Sequence, residues 1–232
     1  GHVTVADLKE IRVGIPNFSE QQRIVSIIAP LHEKIENNSR MNVTLEEMAR
    51  VIFKSWFVDF DPVHARAAGN EPVHMDTKTA VLFPSSFGDD GLPVGWKKSN
   101  ISNIAFRVKD KFQKGQNWDA EKLIDLGRMP SNSISLNEYG EGKELSTSIN
   151  IFKRSDFLFG SIRPYFCKAG LAPFNGVTNS SVFIIRCYEI KNNAFLYALC
   201  SSQNIFNKSI QFSKGTKMPI ISWSDFSKFE CV

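Results

Sequence analysis

Several features are scarce in this 232-residue sequence, and each absence excludes a class of protein. No run approaches the roughly 18 apolar residues that a membrane span requires, and the N-terminus lacks the basic-then-apolar pattern of a secretory signal. The sequence has only four cysteines and no Cys-x-x-Cys pair, which favours four reduced thiols in a core: Cys167, Cys187, Cys200 and Cys231. We therefore expect a cytoplasmic protein that has no membrane partner.

Sequence motifs of catalysis are missing as well. The sequence has no phosphate loop for ATP, and no glycine-rich loop suited to a methyl donor follows a predicted strand. The stretch Asp61-Pro62-Val63-His64 departs from the Asp/Asn-Pro-Pro-aromatic loop of amino-methyltransferases. His64 and His74 lie near two aspartates but lack the spacing of metal ligands. We expect no catalytic residue, metal site or cofactor in this chain, which is then not an enzyme by itself.

One enzymatic alternative stays open. Asp125 followed by Glu141-Gly142-Lys143 satisfies the loose Asp…Glu-x-Lys pattern of Mg²⁺-dependent nucleases, in which paired carboxylates hold the metal and the lysine lies beside the attacked phosphate. Glycines at positions 140 and 142 favour a flexible turn over a strand at this point. We therefore prefer a non-catalytic interpretation of these residues.

The most informative feature that is present is a helical repeat between residues 24 and 56. Seam positions recur at alternating steps of four and three, as in a helix whose apolar stripe is covered by a partner helix. They are Ile24, Ile28, Leu31, Ile35, Asn38, Asn42, Leu45, Ala49, Ile52 and Trp56. The two asparagines weaken packing but fix the register, because each amide needs a partner. The same pattern would also suit a dimerisation stalk in a protein unrelated to DNA.

The helix is expected over residues 19–58, as a spacer and assembly element. Ser19 with Gln22 three residues later predicts a capping box at its start. Pro30 removes a backbone donor, which predicts a kink or a restart of the helix at that point. Residues 59–92 are punctuated by turn pairs and are expected to form a linker, with a short helix only within 75–82.

Charge divides the chain near residue 92. Residues 1–92 contain nine Lys and Arg against thirteen Asp and Glu, a net charge of −4, whereas residues 93–232 contain nineteen against eleven, a net charge of +8. A basic domain with interleaved aromatic residues is typical of contact with a phosphate backbone, because released counterions supply affinity. Nucleic acid is therefore the expected partner of the second part.

The second part changes its pattern to short apolar runs broken by turn residues. These runs predict strands at 122–126, 157–159 and 182–188, and a helix over 194–209. We therefore predict an α+β chain, in which a long coiled-coil-type helix is followed by a mixed α/β domain over 93–232.

A weak internal repeat links the two ends of the sequence. The stretch 5–11 matches 223–229 at three apolar positions and one aspartate. The chain also opens on Gly1-His2 in place of Met. Together these observations predict that residues 1–18 are the tail of a preceding recognition domain in a longer protein.

Several stretches resemble conserved blocks of type I restriction-modification specificity subunits. In the helical part they are residues 20–24, 34–38, 44–49 and 53–63. In the basic part they are residues 91–96, 158–165 and 215–222. The resemblance covers nearly the whole chain, and the helical blocks are its more specific part.

The resemblance implies a function and a set of partners. In that family two recognition domains each read half of a split double-stranded DNA target, and two helices pair antiparallel to fix the gap. This chain would supply one helix and one target recognition domain. Its seam would pair with a second copy of the chain, or stay exposed and promote aggregation. The outward helix face and Trp56-Phe57-Val58 would dock methyltransferase subunits, and the restriction subunit would join the complex indirectly.

Basic and amide residues in turns are the candidates for DNA contact, because strands hold the frame while turns reach the edges of the grooves. The candidates are Lys109, Lys111, Lys114, Arg163, Lys168, Asn179, Lys214, Thr216 and Lys217. Each has a plain alternative, since lysines in loops are usually solvated and an arginine before a proline can simply brace a turn.

Overall fold

The computed structural model describes residues 4–112, 117–145 and 149–232, and the chain divides into two compact units, residues 1–44 and 45–232. The helices are α1 (Val5–Glu10), α2 (Phe18–Phe57), α3 (Asp61–Ala67), α4 (Thr77–Ala80), α5 (Ile101–Ile104), α6 (Asn193–Cys200), α7 (Gln203–Gln211) and α8 (Trp223–Phe226). The strands are β1 (Ser99–Asn100), β2 (Ala105–Val108), β3 (Lys122–Leu123), β4 (Gly140–Glu141), β5 (Asn150–Phe152), β6 (Phe157–Gly160), β7 (Ala169–Leu171), β8 (Gly176–Thr178), β9 (Val182–Cys187) and β10 (Glu230–Cys231).

The predicted fold class is confirmed, because a long helix is followed by a mixed helix and sheet domain. Within the described ranges, no helix is both long enough and apolar enough to cross a membrane.

The first unit contains α1 and the first part of α2, and nearly all of its described side chains are exposed. Thr4 caps α1: its hydroxyl accepts from the Asp7 amide at 3.3 Å, and Asp7 Oδ2 accepts from the Thr4 amide at 2.7 Å. In the second unit Ser222 caps α8. Its Oγ accepts at 3.1 Å from the backbone amide of Asp225, the residue that corresponds to Asp7 in the repeat. The two segments of the internal repeat therefore begin with the same kind of helix cap, although α1 has six residues and α8 has four.

Helix α2 begins earlier than expected, because its cap is a different residue. Asn17 Oδ1 accepts from the Glu20 amide at 3.0 Å, which satisfies a free donor of the first turn. The predicted capping box of Ser19 with Gln22 is therefore wrong, since Ser19 already lies inside the helix. The helix also continues through Pro30 without a restart, so a single missing donor is tolerated in a helix of 40 residues.

Three sheets form the frame of the second unit. The central sheet has the order β2-β9-β6-β7 with every pair antiparallel. A second sheet has the order β4-β3-β8-β5, in which only β3 and β8 are parallel, and β1 pairs with β10. The predicted strands at 122–126, 157–159 and 182–188 therefore exist, although the first is limited to Lys122–Leu123.

The central sheet is buried on both faces, which explains its continuous apolar runs. Side chains alternate along a strand, so Phe159 of β6 and Phe183 of β9 share one face while Leu158 and Ile184 share the other. The first pair belongs to a core with α6, α7 and α8, and the second pair to a core with residues before β4 and in β5. Phe226 of α8 lies 4.6 Å from the Phe159 ring.

The helix predicted over 194–209 is two helices. Ser202 lies between α6 and α7, and its hydroxyl accepts from the Ile205 amide at 3.4 Å as the cap of α7. Just before it, Ser201 donates its hydroxyl back to the Tyr197 carbonyl at 2.7 Å. Serine competes with the helix backbone for hydrogen bonds, which explains why the helix breaks here.

Residues 59–92, expected to be a linker, contain α3 and α4 and pack against the end of α2. Phe83 lies 5.4 Å from the Trp56 ring, and Phe57 lies 5.2 Å from Phe195 of α6. The place of Trp56 in the helix pairing stays a prediction, but its ring is half-buried within the chain. The heptad spacing could not show this, since the covering ring lies outside the repeat.

The four cysteines are free and buried, which confirms the expected reduced core thiols. Burial raises the pKa of Cys187 to about 11 and also raises that of Cys200, because the thiolate loses its hydration.

A buried ion pair links two segments of the second unit and yields a test of the fold. Asp156 accepts from Arg186 Nε at 2.6 Å, from Arg186 Nη2 at 2.8 Å and from the Lys153 amide at 2.7 Å. Only 3% of the Asp156 side chain is exposed. We expect Asp156→Ala to lower the free energy of unfolding by about 3 kcal/mol, because it leaves a guanidinium and an amide unpaired.

The control for this substitution is Glu189→Ala, which breaks an exposed ion pair with Lys191 and should change stability little. Urea unfolding of both variants measures the difference. An Asp156→Ala variant as stable as Glu189→Ala would contradict this role of the buried pair.

Candidate functional site

Strand register brings four separate chain segments to one end of the central sheet. Gly160 at the end of β6 lies opposite Val182 at the start of β9, and Val108 at the end of β2 lies opposite Ile184. The start of β7 is at the same end, since the Gly160 amide donates to the Lys168 carbonyl at 2.8 Å. We call this the loop end, defined as residues 109–111, 161–168, 179–181 and 213–220.

The last of these segments is a hairpin that attaches to the loop after β6. Lys214 and Ile220 exchange two backbone hydrogen bonds of 2.9 Å, which close the hairpin. Its turn needs Gly215, whose φ of +102° is unfavourable for a residue with a side chain. The Arg163 amide donates to the Pro219 carbonyl at 2.7 Å, so the hairpin lies directly beside Arg163.

Arg163 begins a strained turn. It has φ +50° and ψ +60°, and Cys167 has φ +51° and ψ +47°, so a single 3-10 turn is held between two left-handed residues. Such conformations cost about 1–3 kcal/mol each in residues other than glycine and occur often at functional sites. The arginine side chain is exposed.

Eight of the nine candidate residues lie in the described ranges, and all eight belong to the loop end. Six of them are exposed: Lys109, Lys111, Arg163, Lys214, Thr216 and Lys217. Lys168 and Asn179 are half-buried and have structural partners, because Lys168 Nζ donates to the Leu126 carbonyl at 2.6 Å and Asn179 Oδ1 accepts from the Ser181 amide at 3.0 Å. Lys114 lies outside the described residues.

The loop end carries a strong positive charge. Its segments contain six basic residues and a single acidic one, Asp110. The basic residues come from segments far apart in sequence, so the charge becomes concentrated only when the sheet forms. A concentrated basic surface attracts phosphate groups, and the strands behind it provide a rigid frame.

Sequence reasoning missed an apolar component of the same end. Tyr165 and Phe166 are 47% and 45% exposed, with their rings 4.7 Å apart, and Met218 of the hairpin is 50% exposed. Apolar contacts of this kind can recognise the methyl group of thymine in the major groove. Aromatic residues are normally assigned to the core, so the sequence contained no signal of their exposure.

Arg107 was missed too, and it lies one residue before the end of β2. Its guanidinium carbon lies 4.6 Å from the centre of the Phe183 ring, and burial lowers the pKa of Arg107. This stacking holds the Arg107 side chain against the sheet. We therefore assign Arg107 a structural role and do not include it among the candidates for DNA contact.

The geometry disfavours the nuclease alternative, because the carboxylates already have cationic partners. Asp125 pairs with Arg128 at 3.1 Å, Glu141 pairs with Lys143, and Glu144 also binds Arg128. The Glu141 amide and Arg128 lower the pKa of Glu144. Across residues 4–112, 117–145 and 149–232, no three His, Cys, Asp or Glu side chains are grouped as a metal ion would require.

The seam residues of α2 are a second candidate surface, described separately for each unit. In the first unit Ile24, Ile28, Leu31 and Ile35 are exposed, as are Asn38 and Asn42. In the second unit Leu45, Ala49 and Ile52 are exposed, whereas Trp56 is half-buried. The seam therefore presents apolar side chains to solvent in each unit.

Two type I specificity subunits are similar to this chain in sequence. The HindI type I restriction enzyme specificity subunit of Haemophilus influenzae is 49% identical over 65 residues, which are 28% of this chain and 14% of that protein. The MjaIX type I restriction enzyme specificity subunit of Methanocaldococcus jannaschii is 24% identical over an alignment of 231 positions, which covers 94% of this chain and 49% of that protein. The chain thus spans at most about half the length of either relative.

These relatives confirm the resemblance to type I specificity subunits that the sequence blocks indicated. No family model matches the chain. Among solved structures, an HsdS subunit from Thermoanaerobacter tengcongensis aligns with all of this chain and 50% of its own, at 14% identity and a TM-score of 0.43.

Proposed function

We propose that this chain is a sequence-specific DNA-binding specificity subunit of a type I restriction-modification complex, and that its recognition domain reads one half of a bipartite target. The observation that carries the proposal is the loop end, where eight candidate residues from four segments meet on one rigid sheet. The similarity to two proteins named as type I specificity subunits supports it independently.

Contact with double-stranded DNA divides into two tasks at this surface. The exposed lysines bind phosphates, since an ammonium on a flexible stem tolerates a range of positions. Arg163 reads a base, because a guanidinium can donate two parallel hydrogen bonds to guanine and the turn holds its backbone in place. The hairpin with Lys214, Thr216 and Lys217 lies beside it and positions the backbone of the duplex.

The long helix serves assembly in this proposal. Its seam pairs with the seam of a second copy of the chain, and its outward face docks methyltransferase subunits. Those subunits supply the cofactor and the chemistry, and the restriction subunit joins indirectly, so this chain has no catalytic role. Trp56-Phe57-Val58 would also take part in docking, through the half-buried rings that pack against Phe83 and Phe195 and through the exposed Val58.

The DNA-reading role predicts different effects for Arg163→Ala and Lys217→Ala. Selection from a random pool of duplexes, with the cognate methyltransferase subunit present, should enrich a defined half-site or a palindrome. Arg163→Ala should then relax the preference at one base pair, at a cost of about 1–3 kcal/mol. Lys217→Ala should weaken all duplexes evenly and lower the salt slope of binding by about 1.

Lys191→Ala is the control for this experiment, because Lys191 is exposed and lies outside the loop end. Enrichment of no sequence by the unmodified chain would contradict the proposed function. If neither Arg163→Ala nor Lys217→Ala changed affinity or preference, the assignment of the loop end would be wrong.

Self-pairing through the seam predicts a dimer that a single charge disrupts. Ile35 is 63% exposed, and its replacement by glutamate places a charge in the paired stripe. We expect light scattering after size-exclusion chromatography to give a dimer for the unmodified chain and a monomer for Ile35→Glu. Val43→Glu is the matched control, since Val43 is equally part of α2 but outside the seam. A strict monomer at tens of micromolar would contradict self-pairing.

Docking through the outward helix face predicts that Val51→Asp loses the methyltransferase subunit. Val51 is exposed and lies about 120° around α2 from Leu45 and about 100° from Ile52, given 3.6 residues per turn. Co-purification with the cognate subunit measures the loss. Val73→Asp, the same change at an exposed position outside the helix, should leave the complex intact. An unchanged yield with Val51→Asp would refute docking at this face.

A further inference from the structure

The end of α2 is fixed to the recognition domain by a polar clasp, defined here as Glu46 and Arg50. Glu46 accepts from Ser133 Oγ at 2.9 Å and from the Ile134 amide at 3.2 Å, while Arg50 Nη2 donates to the Asn132 carbonyl at 2.8 Å. Only 11% of the Glu46 side chain is exposed. The two clasp residues also form an ion pair with each other at 3.6 Å.

The loop held by the clasp is itself bonded to the loop end. The backbone amide of Asn132 donates to the Cys167 carbonyl at 3.0 Å. The Ile134 carbonyl accepts from the backbone amide of Leu171 in β7 at 3.1 Å. Gly170 permits this approach, since a Cβ there would lie 2.6 Å from the Ile134 carbonyl oxygen. Asn132 adopts φ +60°, so its amide is directed at Cys167 by a backbone conformation that few residues favour.

The turn that begins with Arg163 is therefore held at both ends. At its start the Arg163 amide donates to Pro219, and at its end the Cys167 carbonyl accepts from Asn132. An open cleft borders the turn and is lined by Arg50, Ser133 and Cys167, among others. On this side the hydrogen bond between Asn132 and Cys167 restrains the end of the turn.

We infer that Glu46 and Arg50 are positioning residues for DNA recognition, which set the turn that presents Arg163 through Asn132 and Cys167. This inference rests on the proposed function, because it needs Arg163 to read a base. It extends that function in one respect: the assembly helix determines how selectively the domain reads its half-site, although the clasp itself does not contact DNA.

A purely adhesive role does not account for the clasp. The rings of Phe53 and Phe57 already attach α2 to Phe195 of α6, at 5.5 and 5.2 Å. Apolar contacts hold a helix in place without fixing its rotation about its axis or its position along that axis. Hydrogen bonds to a backbone amide and a backbone carbonyl fix both. A buried carboxylate often adds little net stability, because the loss of its hydration offsets its bonds. We therefore assign Glu46 a role in orienting the helix.

The experiment compares Glu46→Ala with Glu46→Gln in the full chain. Discrimination is measured as the ratio of dissociation constants for the selected half-site and for a duplex altered at the base pair that Arg163 reads. We expect Glu46→Ala to reduce this ratio about tenfold without changing the salt slope. Glu46→Gln should retain it, because the amide oxygen can still accept from the Ile134 backbone amide while the amide nitrogen donates to the Ser133 hydroxyl, which can also accept.

Two further variants separate positioning from general damage. Glu47→Ala is the matched control, an exposed glutamate one position along the same helix, and it should retain discrimination. In an Arg163→Ala background, Glu46→Ala should cause no additional loss of discrimination, since the residue that it positions is already absent. Hydrogen exchange should show faster exchange of the Asn132 amide in Glu46→Ala and unchanged exchange in Glu47→Ala.

The outcomes distinguish this inference from the proposed function. If the unmodified chain selects no sequence, both fail. If it selects a half-site but Glu46→Ala keeps the discrimination, or if the losses add in the Arg163→Ala background, the inference alone is wrong. Ser133→Ala, which removes one donor from the loop side, replaces Glu46→Ala if that variant does not fold, and it should lower the same ratio.

Discussion

The pairing of β6 with β9 is the constraint on which the second unit depends. Both strands are buried on both faces, so a shift of one residue would exchange the two cores and is strongly disfavoured. The same register decides which loops are neighbours, because it places the end of β6 beside the start of β9. The basic surface thus depends on the pairing of residues 157–160 with residues 182–185, none of which is basic.

Sequence reasoning succeeded where the signal was local and failed where distant residues decide. Lysines in turns could be recognised from charge and turn chemistry, and they do lie on loops. Their gathering at one end depends on register, which spacing does not encode. The half-burial of the Trp56 ring also depends on a distant residue, since Phe83 packs against it from outside the repeat. The exposure of Tyr165 and Phe166 also had no sequence signal.

Helix α2 combines two kinds of attachment within the second unit. Phe53 and Phe57 bury aromatic rings, which supply attraction but little direction. Glu46 and Arg50 form hydrogen bonds with defined partners, which supply direction. Exposed apolar residues of the helix, such as Leu45 and Ile52, belong to neither kind of attachment. They are available for the pairing that we propose.

Under the proposed function, the hairpin with Lys214 and Lys217 contacts phosphates and the turn with Arg163 contacts a base, and the two segments differ in backbone accordingly. A phosphate backbone offers charge at many positions, so lysines on a hairpin with a glycine turn can tolerate movement. A base edge offers two atoms in one plane, and a mobile arginine would lose about 0.5–1.5 kcal/mol of side-chain freedom on binding. A strained backbone at Arg163 and Cys167 limits the positions of that side chain beforehand. Such strain persists only if contacts at both ends of the turn hold it, which is the arrangement that Pro219 and Asn132 provide.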